Sequence, residues 1–381
     1  MSELLFGFHG EELKSFYELG ERFAKKELAP KALELDRYPH SQFNESALKA
    51  AAEIGLFNLT LPESFGGSGQ GMTALSVILP SLASADASFG AVVFIQIFAQ
   101  SAIVRWAKKE IAEKYLKPKD RGLPRLCAFP VYAPPTDLPL EVKALKEGDS
   151  YSLTGKISSL ALAPVAEIMI IPAEVQGSGQ ASFFIVEKNS SGVKVSEPVL
   201  GLGLHNCPVA DVELWGVKVP LENLLGGEGQ ASEDYPEFYA SFGGALASLS
   251  LGVLIGSFRT AKSFAEERYQ GGKQIIEHDQ VRMMLANMAL LIETGETICL
   301  NASRAVDQGK GLTQAFAGGI FLTDAVTRAT TDGVQCLGGY GYMHDYGQEK
   351  RMRDAKQIQA MFGPSPLKRL ELMETILRRE G

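Results

Sequence analysis

The stretch that decides the reading of this chain is Gln335-Cys336-Leu337-Gly338-Gly339-Tyr340-Gly341-Tyr342, followed by Arg353-Asp354-Ala355-Lys356 and then Met361-Phe362-Gly363. Glycines at 338, 339 and 341 let backbone come close to a ligand, because glycine takes positive φ without a Cβ penalty and leaves its N–H uncovered. A lone Gly-Gly-x-Gly is otherwise a turn between helices. The preceding glutamine and the charged run that follows turn the balance toward a ligand-facing segment.

Working outward from it, residues 242–266, 281–306, 312–333 and 367–379 carry apolar side chains at helical spacing with few turn signals. The last of these has Ser365 as an expected N-cap and Pro366 at the first helical position. Upstream, Tyr151-Ser152-Leu153-Thr154-Gly155-Lys156, Glu167 to Ile171, Ala181 to Val186 and Val212-Glu213-Leu214-Trp215 are short strand-like runs divided by turn residues. From Glu11 to about Lys117, Leu13, Phe16, Leu19 and Phe23, then Leu75, Val77, Leu79 and Leu82, again recur at helical spacing, interrupted at Pro62 to Gly67. The order is helical, β, helical. We expect an α+β, mainly α chain with an N-terminal helical domain over 1–122, a central β domain over 123–230 and a C-terminal helical bundle over 231–381.

The chain has 381 residues, 45% of them hydrophobic and 22% charged, with formal net charge −8. That is ordinary globular composition with no basic field to hold a nucleic-acid backbone. Cys127, Cys207, Cys299 and Cys336 are scattered, with no Cys-x-x-Cys pair and no histidine at metal-ligand spacing, so neither a metal site nor a disulfide framework is expected. The N-terminus lacks the basic flank and apolar core of a signal peptide, and no apolar run is read as reaching the length of a membrane span. A reducing, cytoplasmic setting is expected.

From about Phe8 to Leu370 the chain resembles the acyl-CoA dehydrogenase family. The motifs that carry the likeness are Gly55 to Glu63 with Gly66-Gly67, Ala83 to Ser88, Tyr115-Leu116, Gly203 to Pro220, Glu222 to Gly226 and, most specifically, Gln335 to Tyr342 with Arg353 to Lys356. The resemblance implies helices, then a β-barrel-like domain, then a four-helix bundle, assembled as a tetramer. It also implies FAD, whose ring lies between the β domain and the C-terminal helices. In the family a carboxylate takes the α-proton of a CoA thioester while a hydride passes from the β-carbon to flavin N5. An electron-transfer flavoprotein then accepts the electrons.

By the same resemblance Gln335, Gly338, Gly339 and Gly341 meet the FAD pyrophosphate of a neighbouring subunit. Arg268 pairs with an FAD phosphate, which the guanidinium fork fits geometrically; the plain alternative is a surface helix arginine. The family's Phe-Gly three residues on is Gly271-Gly272 here. The flavin loop departs further. It reads Pro130-Val131-Tyr132-Ala133-Pro134-Pro135-Thr136-Asp137, where only Thr136 and Asp137 keep hydroxyl and carboxylate character and the prolines supply no N–H. The family's Trp-Ile-Thr is replaced by Ser159-Leu160-Ala161, which loses the hydroxyl toward flavin N5.

The base position departs most. Its usual seat after Lys356 holds Phe362, and the alternative seat falls near Phe242 and Gly243, so no catalytic residue is assigned. Phe362 retains a backbone N–H that a thioester carbonyl could use. Asp345, Glu349 and Tyr342 read as helix-end or surface groups, His205 and His344 as satisfied loop histidines, and Trp215 and Phe94 to Phe98 as core aromatics, the latter also placed at the far end of an acyl pocket. Three readings stay open. One is an FAD-dependent acyl-CoA dehydrogenase with a relocated base, as a homo-tetramer. Another is a catalytically incomplete subunit completed by a base-bearing homologue in a hetero-oligomer. The third is a flavin-dependent monooxygenase on the same fold.

Overall fold

A computed structural model describes residues 11–37, 43–118, 122–132 and 140–380. The N-terminal part holds α1 (Glu11–Phe23), α2 (Glu45–Glu53), α3 (Met72–Ala85), α4 (Ala87–Trp106) and α5 (Lys109–Leu116). Helix α1 buries Tyr17, Gly20 and Phe23 along one stripe, whereas α4 is apolar around its circumference and buried almost end to end, as a central core helix must be. Asp86 separates α3 from α4 and caps the latter, its carboxylate accepting from Ser88 N at 3.1 Å.

The central strands are β1 (Cys127–Ala128), β2 (Lys143–Glu147), β3 (Ser150–Ala161), β4 (Ile168–Val175), β5 (Ala181–Glu187), β6 (Val193–Val195), β7 (Val209–Pro220) and β8 (Leu224–Leu225). They pair in the order β6-β7-β3-β2-β4-β5-β8, with β1 parallel to β4. Strands β4 and β5 are nearly continuous buried apolar runs, while β3 and β7 alternate and are bulged at two points of their pairing. Trp215 falls beside one of these irregularities. It is 70% exposed, so the expectation of a core aromatic is corrected: the bulge turns this side chain onto the solvent face, while the Trp215 backbone N–H donates to Gly192 O at 2.9 Å.

The C-terminal part comprises α6 (Gln230–Ser241), α7 (Gly243–Glu267), the hairpin β9 (Tyr269–Gln270) and β10 (Lys273–Gln274), α8 (Asp279–Asp307), α9 (Leu312–Leu337), α10 (Gln348–Gln359) and α11 (Ser365–Glu380). Helix α7 is the centre, packed on α3, α8, α9 and α10. Pro364 O accepts from Leu367 N and Lys368 N, so the cap of α11 is Pro364 and Ser365 lies inside the helix, its hydroxyl donating to Asp324. A second correction concerns apolar length. Among the described residues α4, α7 and α8 are each long and apolar enough to cross a membrane, but the apolar windows of α4 and α7 are 89% and 83% buried within the fold.

A buried polar brace joins the three regions. Asp36, after α1, meets His205 Nδ1 at 2.7 Å and accepts from Arg353 Nη2 at 2.5 Å. Asp354 accepts from Leu204 N at 2.7 Å and from Lys350 Nζ at 2.6 Å, and Lys350 also reaches Asp86 at 3.1 Å. The Arg353-Asp354 pair is thus a cross-link from α10 to both neighbouring regions.

Candidate functional site

Helix α10 stops at Gln359, and Lys368 from α11 donates to Gln359 O at 2.9 Å and Met361 O at 3.1 Å. A cation on terminal carbonyls suits the negative end of a helix. Burial pulls this lysine down to about 8. The turn it pins carries Phe362 at φ 60, a left-handed conformation costly for a side chain of this size. Phe362 N donates to Val131 O at 2.6 Å. The amide considered available to a thioester carbonyl is therefore already committed within the fold.

Phe362 is 3% exposed. Its ring lies 6.1 Å from Phe94, 5.0 Å from Phe98 and 5.5 Å from Tyr239, the last stacked. Phe242 packs on the same two rings, 6.1 Å from Phe94 and 4.7 Å from Phe98. Two positions 120 residues apart in sequence thus converge on one spot, and each fills it with phenylalanine. Phe129 and Phe238 close the cluster at 4.8 Å and 4.7 Å from Phe98. Sequence reasoning missed one acidic neighbour: Glu371 of α11 accepts from the Tyr239 hydroxyl. Only the crossing of α6 and α11 brings these two together, so no spacing signal announces it.

The residues expected along a flavin ring do not present themselves to one. Ala161 is fully buried, and its carbonyl accepts from Phe129 N at 3.2 Å. Ser159 stands at φ 57 with its N–H on Asp211 Oδ1 at 3.0 Å. Ser159 N and Ala161 O are thus both committed to partners within the fold. Thr136 lies outside the described residues. Among the described residues, neither the Ser159 N–H nor the Ala161 carbonyl is left free for a flavin ring.

The phosphate end differs. Arg268, Gln335, Gly338 and Gly339 line one open cavity of about 520 Å³, with Cys336, Tyr340 and Met343 beside them. Gly338 has φ 55, and a Cβ at either Gly338 or Gly339 would meet nothing within 4 Å, so both present bare backbone to the cavity. The Arg268 guanidinium lies 5.5 Å from the Tyr340 ring centroid. A fork-shaped cation beside uncovered glycine backbone fits a pyrophosphate. Gly341 is not part of this lining. A Cβ there would lie 2.3 Å from Val334 O, so its smallness serves the packing of the turn on α9. Asp345 and Tyr342 are exposed, while Glu349 holds Arg353 Nε at 2.5 Å and His344 Nδ1 at 2.7 Å.

Comparison with known proteins agrees with this architecture. The family description "Acyl-CoA dehydrogenase, N-terminal domain" matches residues 10–122, and "Acyl-CoA dehydrogenase, C-terminal domain" matches residues 244–377. The chain is 29% identical over 368 residues to a cyclohex-1-ene-1-carbonyl-CoA dehydrogenase of Geobacter metallireducens, covering 94% of this chain and 96% of that one. It is 28% identical over 382 residues to the caffeyl-CoA reductase-Etf complex subunit CarC of Acetobacterium woodii, covering 98% and 100%. The solved butyryl-CoA dehydrogenase of Megasphaera elsdenii superposes with a TM-score of 0.90 at 24% identity, over 97% of this chain and 99% of that one. From these matches at both ends, and from the helical, β, helical architecture between them, the chain belongs to the acyl-CoA dehydrogenase family, whose cofactor is FAD.

Proposed function

We propose that this chain is a subunit of an FAD-dependent oxidoreductase of the acyl-CoA dehydrogenase type, acting on the Cα–Cβ bond of a CoA thioester. Within that assembly it supplies the phosphate-binding half of a flavin site, through Arg268, Gln335, Gly338 and Gly339. A homologous chain supplies the ring bed and the proton acceptor. The observation that carries this reading is the contrast within one molecule: the phosphate cavity is open, while the Phe242 and Phe362 seats are packed shut. When bound, FAD provides the hydride acceptor; this chain's own part is to hold the phosphates with a cation and bare amides. The Geobacter and Acetobacterium relatives, by their names, act on CoA thioesters, and the second belongs to an Etf complex. An electron-transfer flavoprotein partner, a tetrameric assembly and a cytoplasmic setting belong to the same proposal.

The test is a visible spectrum. Purified alone, the chain shows little flavin absorbance and no acyl-CoA oxidation with an artificial acceptor. Co-purified with a glutamate-bearing homologue, the complex is yellow, and Arg268→Met in this chain strips flavin from it. A yellow single chain that bleaches with acyl-CoA removes this reading. It would instead favour a homo-oligomeric enzyme with a relocated base, for which Glu371, through its contact with Tyr239 against Phe362, is the candidate.

A further inference from the structure

A second cavity, of about 400 Å³, lies on the far side of the brace, between the segment after α1, the α3–α4 junction, α7 and α10. Its walls are largely alanine, including Ala24, Ala29 and Ala87, and its polar side is cationic, formed by Lys25, Arg259 and Arg351. The carboxylates that border it are accounted for: Glu21 lies 3.6 Å from Arg259, and Asp354 is held by Lys350 and Leu204 N. Among the described residues no carboxylate forms an ion pair with Arg351, and Asp354 attracts it only at longer range. Arg351 Nη1 donates to Tyr346 O at 3.3 Å and Gly347 O at 3.0 Å, which leaves Nε and Nη2 without a hydrogen-bond acceptor among the described residues.

The fold makes room for this guanidinium. Gly256 of α7 faces it, and a Cβ there would lie 2.8 Å from Arg351 Nε and 2.5 Å from Ser84 O. Any larger residue at 256 would displace the arginine. The first turn of α4, capped by the Asp86 carboxylate, borders the cavity at Ala87. Burial draws the Arg351 guanidinium down to about 10, and the attraction of Asp354 only partly offsets it.

We propose that this cavity binds a compact oxyanion, a carboxylate or phosphate head on a short apolar body, with Arg351 as its principal ligand. The guanidinium fork matches either head, and the alanine walls leave space for a small apolar group but offer it no polar partner. The site shares no lining residue with the phosphate cavity at Arg268 and does not depend on the function proposed above.

The experiment is thermal unfolding of the full chain in inorganic phosphate, in butyrate and in chloride at equal ionic strength. Phosphate or butyrate at ~10 mM is expected to raise Tm by about 2 °C or more over chloride. Arg351→Met abolishes that rise. Ala29→Glu, an exposed position at the rim, places a tethered carboxylate beside Arg351, so it raises Tm in chloride and removes the response to added anion. Arg268→Met keeps the response. No anion-specific rise in the parent chain overturns the proposal, as does a rise that survives Ala29→Glu or one that disappears with Arg268→Met. Should Arg351→Met not fold, the Ala29→Glu and Arg268→Met results decide the matter.

Discussion

Phe362 N lies 2.6 Å from Val131 O, and this hydrogen bond ties the turn after α10 to the segment after β1. It joins the two regions between which the family carries its flavin ring and its proton acceptor. An amide turned inward to protein is not available to a ligand, and the ring on the same residue is buried against Phe94, Phe98 and Tyr239. The residue is held in a left-handed conformation to do this, a geometry imposed by Lys368 on Gln359 O and Met361 O and by Val131 O rather than by its own preference.

Restoring a carboxylate does not by itself restore the chemistry. Phe362→Glu buries an acid among Phe94, Phe98 and Tyr239, and we expect a loss of about 3 kcal/mol or more in stability. Activity of the isolated chain remains at background. Urea unfolding and an acyl-CoA assay check both halves; a variant as stable as the parent that oxidises acyl-CoA contradicts the packed-shut seat.

The brace gives the acid limb of the stability curve. Burial raises the Asp36 carboxyl, but hydrogen bonds from His205 and Arg353 outweigh it and hold it at about 2, below its usual 3.8. A depressed carboxyl stabilises the fold above its unfolded value, and that contribution is lost as pH falls from 3.8 toward 2. Asp36→Asn should therefore cost about 2 kcal/mol at pH 7 and nothing extra at pH 2. Parallel curves for parent and variant over that window would refute the assignment.

Glu296 works in the opposite direction. Burial, aided by Glu293, pushes its carboxyl up to about 9, and Oε1 is buried without a hydrogen-bond partner. The folded chain holds it protonated while the unfolded chain ionises near 4.5, so stability drains away as pH rises from 4.5 to 9. Glu296→Gln should match the parent at pH 4 and exceed it by roughly 1–3 kcal/mol at pH 9. Equal unfolding midpoints at pH 9 would show that the group ionises freely.

Trp215 is a surface residue, and Trp106 is the other tryptophan, 7% exposed and stacked 5.7 Å from Phe183. Trp215→Ser should change stability by no more than about 0.5 kcal/mol and leave a blue-shifted emission from Trp106 alone. A large loss of stability would mean that the side chain is packed after all.

Local patterns in the sequence determined the family and the order of its elements. Apolar residues at helical spacing in α7, α8 and α9, the continuous apolar run of β5 and the glycines at 338 and 339 encode structure within a few residues, where spacing maps directly onto geometry. That Phe242 and Phe362 are both phenylalanines was legible in the same way. Other features depend on contacts between distant segments. Phe242 meeting Phe362 through Phe98, the capture of the Phe362 amide by Val131, the exclusion of Gly341 from the phosphate cavity and the outward turn of Trp215 at a bulge arise from helix crossings and strand register. One-dimensional periodicity carries no record of these, because which side chains face each other across an interface is fixed only when the elements pack.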